Sequence, residues 1–125
     1  MGKRFKDKMI IAGEYIFEYN KALNADLPCG NIYQSTGLLV HIQKRHPHCL
    51  KYLEKIPDIL SNPDYIGKNP NEYQSVEFIK QYDDHVLVAV KLDIIENRLY
   101  VASLYNISES KIKNRLNSGR IKKCE

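Results

Sequence analysis

His85-Val86-Leu87-Val88-Ala89-Val90-Lys91-Leu92 is the most strand-like run in the chain. Its β-branched and large apolar residues suit a pleated, half-buried surface and disfavour a helix of that length. Just before it, Asp83-Asp84 reads as a turn, and upstream of that Val76, Phe78 and Lys80 alternate with Glu77, Ile79 and Gln81. Period-two alternation of this kind places successive side chains on opposite faces of a strand. Glu96-Asn97 supplies the next turn, and Arg98 to Tyr105 is a third β-rich segment. Residues 75 to 105 are therefore predicted to form a three-stranded antiparallel meander. Strict alternation in its third strand puts Ser103 and Tyr105 on one face with Leu99 and Val101, and Tyr100, Ala102 and Leu104 on the other.

The flanks are more helical. Met9 to Ala12 is a short apolar run ending at Gly13, which suits a strand, and Tyr15 to Leu23 reads as a short helix stopped near Asn24 and Pro28. Asn31 to Ser35 is a further strand, after which Ser35 or Thr36 can cap a helix carrying Leu38, Leu39 and Ile42, with Val40 as a further candidate. That helix is expected to end near Pro47, with Leu50, Leu53 and Ile56 continuing at helical spacing until Pro57 bends the segment. The Pro- and Asn-rich Asn62 to Asn71 reads as a loop. The last element starts at Ser108, has Glu109 in its first turn and Ile112 with Leu116 as an apolar stripe, and stops at Gly119. The expected fold is α+β: N-terminal helices packed on an antiparallel meander, closed by a basic C-terminal helix, as one domain over residues 1–125.

Composition limits the function classes. With 125 residues and 43% hydrophobic side chains the chain can bury one core, which excludes multidomain machines. A mean hydropathy of −0.46 and 27% charged residues fit a soluble globular protein. Cys29, Cys49 and Cys124 form no CxxC pair and cannot all be bridged, as expected of reduced intracellular thiols. No apolar run approaches the roughly 20 residues that span a bilayer. The basic opening Lys3, Arg4, Lys6, Lys8 is followed by too short an apolar run for a signal peptide, so the expected location is the cytoplasm. The formal charge of +4 lies wholly in the last 18 residues, because the 13 basic and 13 acidic residues before Ser108 cancel.

Chemistry concentrates in His41-Ile42-Gln43-Lys44-Arg45-His46-Pro47-His48. On a helix, His41 and Arg45 share a face while Leu38 and Ile42 turn to the core. Histidine accepts a proton when neutral and returns one when charged, as phosphodiester cleavage by acid and base requires, and Lys or Arg can steady the charge on phosphorus. The plainer reading is a solvated helix end with cations at the negative pole of its dipole. Zinc is a weaker reading, since His41, His46, His48 and Cys49 lack the spacing of a metal site. Ser103 and Tyr105, two apart, can bind a phosphate and stack a base, or simply cover a core edge. Asp64 and Tyr65 lie in a loop that is either turn chemistry or the rim of a site. Lys111, Lys113, Asn114, Arg115, Ser118 and Arg120 suit a phosphate backbone, or form a merely solvated helix face. No Gly-rich phosphate loop is present.

Ile32-Tyr33-Gln34-Ser35, His41 to Pro47, Ile56-Pro57-Asp58-Ile59, Asn62-Pro63-Asp64-Tyr65-Ile66-Gly67, Val88 to Asp93, Leu99 to Tyr105 and Ser110 to Lys122 follow one another in an order that resembles the phage-associated barnase/EndoU/colicin/RelE-like nuclease domains. The resemblance covers residues 30 to 122 and leaves residues 1–29 as an N-terminal strand and helix extension. It implies a small metal-independent endoribonuclease of phage or toxin type, needing no cofactor, that cleaves RNA through a 2′,3′-cyclic phosphate. It further implies His41 and His46 as acid and base, Lys44 and Lys91 as phosphate stabilisers, and Ser103 as their hydrogen-bonding partner. Arg45, Asp64, Tyr65, Tyr105, Lys111, Arg115, Ser118 and Arg120 are then the substrate-binding candidates. The implied partners are tRNA, mRNA or another structured RNA in the host cytoplasm, and an antitoxin or immunity protein. The alternative is a non-catalytic protein on the same fold that binds nucleic acid or inhibits a host enzyme. On the enzymatic reading the basic tail holds RNA while the His41 to His46 helix moves protons, so the two roles are expected to separate by mutation.

Overall fold

The computed structural model of the chain describes residues 8–72 and 74–124; the basic opening at Lys3, Arg4 and Lys6 lies outside the described residues. In chain order the elements are β1 (Met9–Tyr15), α1 (Phe17–Leu23), β2 (Gly30–Ser35), α2 (Gly37–Arg45), a 3₁₀ stretch (Pro47–Lys55), α3 (Ile56–Ser61), β3 (Tyr65–Lys68), β4 (Ser75–Gln81), β5 (His85–Asp93), β6 (Arg98–Ile107), α4 (Glu109–Ser118) and β7 (Ile121–Lys123). The strands form one sheet in the order β1-β2-β6-β5-β4-β3-β7. Every neighbouring pair is antiparallel except β2 and β6, which run parallel over only Ile32↔Leu99 and Tyr33↔Tyr100. This is the expected α+β architecture, with the meander β4-β5-β6 at its centre.

Strict alternation fails in β6. Ala89 pairs with Ser103 but Val90 pairs with Val101, so Ala102 is the extra residue of a bulge. The bulge turns Leu104, rather than Ser103, to the side of Leu99 and Val101, and these three are buried with Val86, Val88, Val90, Val76 and Phe78. Fully burying each such side chain contributes roughly 1.5–3 kcal/mol. Tyr19 and Leu23 of α1, Leu38 and Ile42 of α2, Cys49 and Tyr52 of the 3₁₀ stretch, and Ile56, Ile59 and Leu60 of α3 close this core. Leu39 and Val40 remain exposed, because the helix turns only its i, i+4 pair inward. Ser103 and Tyr105 are left on the opposite face, where Ile79, Leu87, Ile107, Ile112 and Ile121 form a smaller cluster beneath α4.

Thr36 makes no side-chain cap at the start of α2, where the Ser35 hydroxyl instead accepts the Gly37 amide at 3.0 Å, but the ends of α4 and α1 follow their capping chemistry. The Ser108 hydroxyl accepts the Lys111 amide at 3.2 Å, and Gly119 takes the left-handed conformation that ends α4. Asn24 closes α1 in the same conformation. The loop that follows is fixed by buried Asn20, whose carboxamide receives the Tyr15 hydroxyl at 2.9 Å and bonds both the amide and the carbonyl of Leu27.

Three expectations are corrected. The first strand does not stop at Gly13 but continues to Tyr15, accommodating Gly13 at a break in its register with β2. The segment from Asn62 to Asn71 is not all loop: Tyr65–Lys68 is β3, paired with β4 on one side and β7 on the other. Likewise a further element follows the stop at Gly119: Ile121–Lys123 is the edge strand β7. No helix among the described residues is long and apolar enough to cross a membrane.

Candidate active site

Because β2 leaves β6 after two pairs, α2 packs along the rest of β6. Leu38 and Ile42 anchor α2 in the core, which carries His41 and Arg45, one turn apart, toward the other side of the sheet. The His41 Nε2 lies 3.2 Å from the Ser103 hydroxyl. The helix breaks at His46, ahead of Pro47, as backbone crowding before a proline requires. The His46 ring then rests 5.4 Å from the Tyr105 ring and 6.3 Å from His41, between centroids.

Below these side chains the sheet supplies a floor. Glu77, Ala89 and Ser103 form one cross-strand row, and the small Ala89 at its middle leaves space above it. Lys91 stands one row away, opposite Ser75, with its ammonium 2.5 Å from the Glu72 carboxylate of the β3–β4 loop. Together His41, Arg45, His46, Glu77, Lys91 and Ser103 enclose a cleft of about 400 Å³, with Tyr105 and Asn69 on its walls.

Glu77 is the residue that sequence reasoning passes over. Its side chain is 2% exposed, and its oxygens accept from Arg115 Nη1 at 3.3 Å, Arg120 Nε at 3.1 Å and Arg120 Nη2 at 2.6 Å. The two-pronged contact to Arg120 is the fork geometry that makes guanidinium–carboxylate pairs strong. The bond with Glu77 holds the Arg120 guanidinium still more firmly protonated than usual. One signal was available: Glu77 is a carboxylate flanked by the apolar Val76, Phe78 and Ile79 in the middle of a strand, and buried acids are almost always paired.

At the cleft the His46 and Tyr105 titrations are displaced as well. Burial, reinforced by the positive charge of His41, Arg45 and His48, pushes the His46 pKa below the ordinary histidine range. Burial, followed by the negative charge of Glu77, raises the Tyr105 phenol, which stays protonated and able to donate.

The structure thus gathers His41, Arg45, His46, Lys91, Ser103 and Tyr105 from the sequence-derived candidates. It does not gather the rest. Lys44 is exposed on α2 outside the cleft lining. Asp64 and Tyr65 are held elsewhere by β3: the Asp64 carboxylate accepts the Gln81 amide at 2.8 Å, and Tyr65 packs on the cluster beneath α4. Asn69 and Glu72 line the rim instead. Arg115 and Arg120 point inward to Glu77 rather than to solvent, and the Ser118 hydroxyl is used by the Arg115 carbonyl and the Arg120 amide. Lys111 is exposed on α4. Among the described residues no group of three or more His, Cys, Asp or Glu is arranged to hold a metal ion.

No curated protein and no solved structure matches this chain. One family profile does, over residues 10–114, which takes in most of the N-terminal strand and helix that the sequence resemblance had left outside. The chain therefore belongs to the phage-Barnase-EndoU-ColicinE5/D-RelE like nuclease3 family.

Proposed function

We propose that this nuclease-family protein is an endoribonuclease that needs no metal and cleaves RNA by transfer of the phosphodiester to the neighbouring 2′-hydroxyl. The observation that carries the reading is the His41 and His46 pair, 6.3 Å apart between ring centroids over one cleft that also holds Lys91 and Arg45. His46, kept neutral by its surroundings, removes the proton of the 2′-hydroxyl. The 2′-oxygen bonds to phosphorus, the bond from phosphorus to the 5′-oxygen breaks, and protonated His41 gives its proton to that leaving oxygen. The products are a 2′,3′-cyclic phosphate and a 5′-hydroxyl. Ser103 holds the His41 ring through the 3.2 Å contact to Nε2. Lys91 exchanges the Glu72 carboxylate for the phosphate, and with Arg45 it balances the charge that accumulates on the non-bridging oxygens. The protonated Tyr105 hydroxyl is a further donor. Glu77 is a positioning residue that fixes Arg115 and Arg120 as a cationic wall beside the cleft.

Cleavage of RNA in excess EDTA, followed against pH, tests the assignment. His41→Ala and His46→Ala are each expected to slow cleavage by about 10²-fold or more, the scale of losing a general acid or base. A base works deprotonated, and the His46 pKa lies below the ordinary value of about 6.5. The acid limb of the native protein's pH profile, on which the base is lost, therefore lies below about pH 6.5, and this limb disappears in His46→Ala. Unchanged rates in both variants would remove the two histidines from the mechanism.

A further inference from the structure

A second and larger hollow, about 1180 Å³, opens beside the cleft between the α1–β2 loop, the β3–β4 loop and the C-terminal end of α4. Asn69, Glu72 and Ser75 line both, so a chain lying in the cleft can continue into the groove. We infer that this groove receives the bases of unpaired nucleotides next to the scissile phosphate, which makes single-stranded RNA the substrate; the inference rests on the ribonuclease reading above.

Three observations point there. First, the walls carry five carboxamides, Asn24, Asn69, Asn71, Gln74 and Asn114, drawn from three separate segments. A carboxamide offers a donor and an acceptor side by side, the pairing that the edge of a nucleobase presents. Asn24, Asn71 and Asn114 are exposed at the rim, whereas the Asn69 side-chain oxygen Oδ1 accepts the Asn71 backbone amide at 2.9 Å and shapes the loop. Second, the groove has apolar wall as well, from the accessible Ala25 and Pro70 over the largely buried Leu23 and Leu27, against which a flat ring can lie. At about 1180 Å³ it exceeds the roughly 300–1,000 Å³ of an ordinary small-ligand pocket, which suits a chain of nucleotides rather than one small molecule.

Third, its charge favours a polyanion. The Lys68 and Lys122 ammonium groups are held at backbone carbonyls, of Asn24 at 3.3 Å and Ala22 at 2.7 Å, so neither bond cancels their charge. Glu77 neutralises one of the two arginine charges, and Glu72 is met by Lys91, which leaves a positive surplus over Asp26. Paired RNA cannot use this arrangement: in an A-form helix the base edges face one another and the major groove is too deep and narrow for side chains. Unstacked bases can. The groove wall is also preorganised, because the buried Asn20 network fixes the loop that carries Asn24 to Leu27.

The test is fluorescence anisotropy with a short 2′-O-methyl oligonucleotide, which has no free 2′-hydroxyl and is not cleaved, offered single-stranded and annealed to its complement. The native protein is expected to bind the single strand at least about tenfold more tightly than the duplex. Asn71→Ala combined with Asn114→Ala is expected to weaken the single strand by about tenfold, the scale of two lost hydrogen bonds, without lowering the urea midpoint. Cleavage of a dinucleotide, which fills only the cleft, should be unchanged in this variant. Equal binding of strand and duplex, no binding at all, or binding indifferent to the two asparagines would overturn the assignment. If asparagine-dependent binding is found in a protein that cuts no RNA, the groove stands and the catalytic reading fails.

Discussion

Glu77 shows what a single residue does to this sheet. A carboxylate at 2% side-chain exposure survives there because two guanidinium groups, Arg115 from the last turn of α4 and Arg120 just beyond it, reach it, and each is itself mostly covered. Removing one member of a buried ion pair leaves the other charges without compensation. Glu77→Gln is accordingly expected to destabilise the protein by about 3 kcal/mol, read as a lower urea midpoint at unchanged slope. A loss under about 1 kcal/mol would mean that the arginines find water instead. In the sequence, His41 and Arg45 were legible as a shared helical face because helix geometry is local. Ser103 was legible as a candidate, but not the face it occupies with respect to Leu99 and Val101, since the bulge at Ala102 is set by pairing with β5. Glu77 was legible only as an anomaly, because its partners lie 38 and 43 residues away.

At the scale of elements, the meander, α1, β2, α2 and α4 followed from periodicity, turns and caps. β3 and β7 did not. The first has 4 residues between prolines and the second 3 residues in a basic tail, too short for alternation to register. They exist because they pair, and one position shows how closely. A side chain at Gly67 would run into the backbone carbonyl of Arg120 and come 2.7 Å from Ile121 Cγ2, so only glycine lets β7 approach. Gly67→Ala is expected to release β7 and, through Arg120, to loosen the hold on Glu77. Hydrogen exchange at Ile121 to Lys123 should then accelerate while the β5–β6 amides keep their protection. Unaltered exchange at β7 would show that the strands can part without cost. The stretch from Pro47 to Lys55, helical by its spacing, is 3₁₀, with Cys49 and Tyr52 buried in the core and Leu50 and Leu53 partly buried against it.

For the whole molecule, the positive surplus at the C-terminus is not a separate binding tail. Of its six cations, Arg115 and Arg120 turn inward to Glu77 on the floor of the cleft, and the Lys122 ammonium bonds Ala22. Lys111, Lys113 and Lys123 face solvent. The residues proposed for binding and those proposed for proton transfer, far apart in the sequence, therefore lie at one sheet face, and substituting Arg115 or Arg120 is expected to disturb the cleft as well as the charge. The expectation that the two roles separate cleanly holds at most for the exposed lysines.

The central claim is a transfer of the phosphodiester to the 2′-hydroxyl, driven by two histidines. The most direct measurement of it is the chemistry of the product ends after digesting a defined single-stranded RNA in EDTA. The account predicts 5′-hydroxyl ends together with 2′,3′-cyclic phosphates, and no cutting when the 2′-hydroxyl at the scissile position is replaced by hydrogen. Products with 3′-hydroxyl and 5′-phosphate ends, or cleavage that appears only when a divalent metal is supplied, would contradict it.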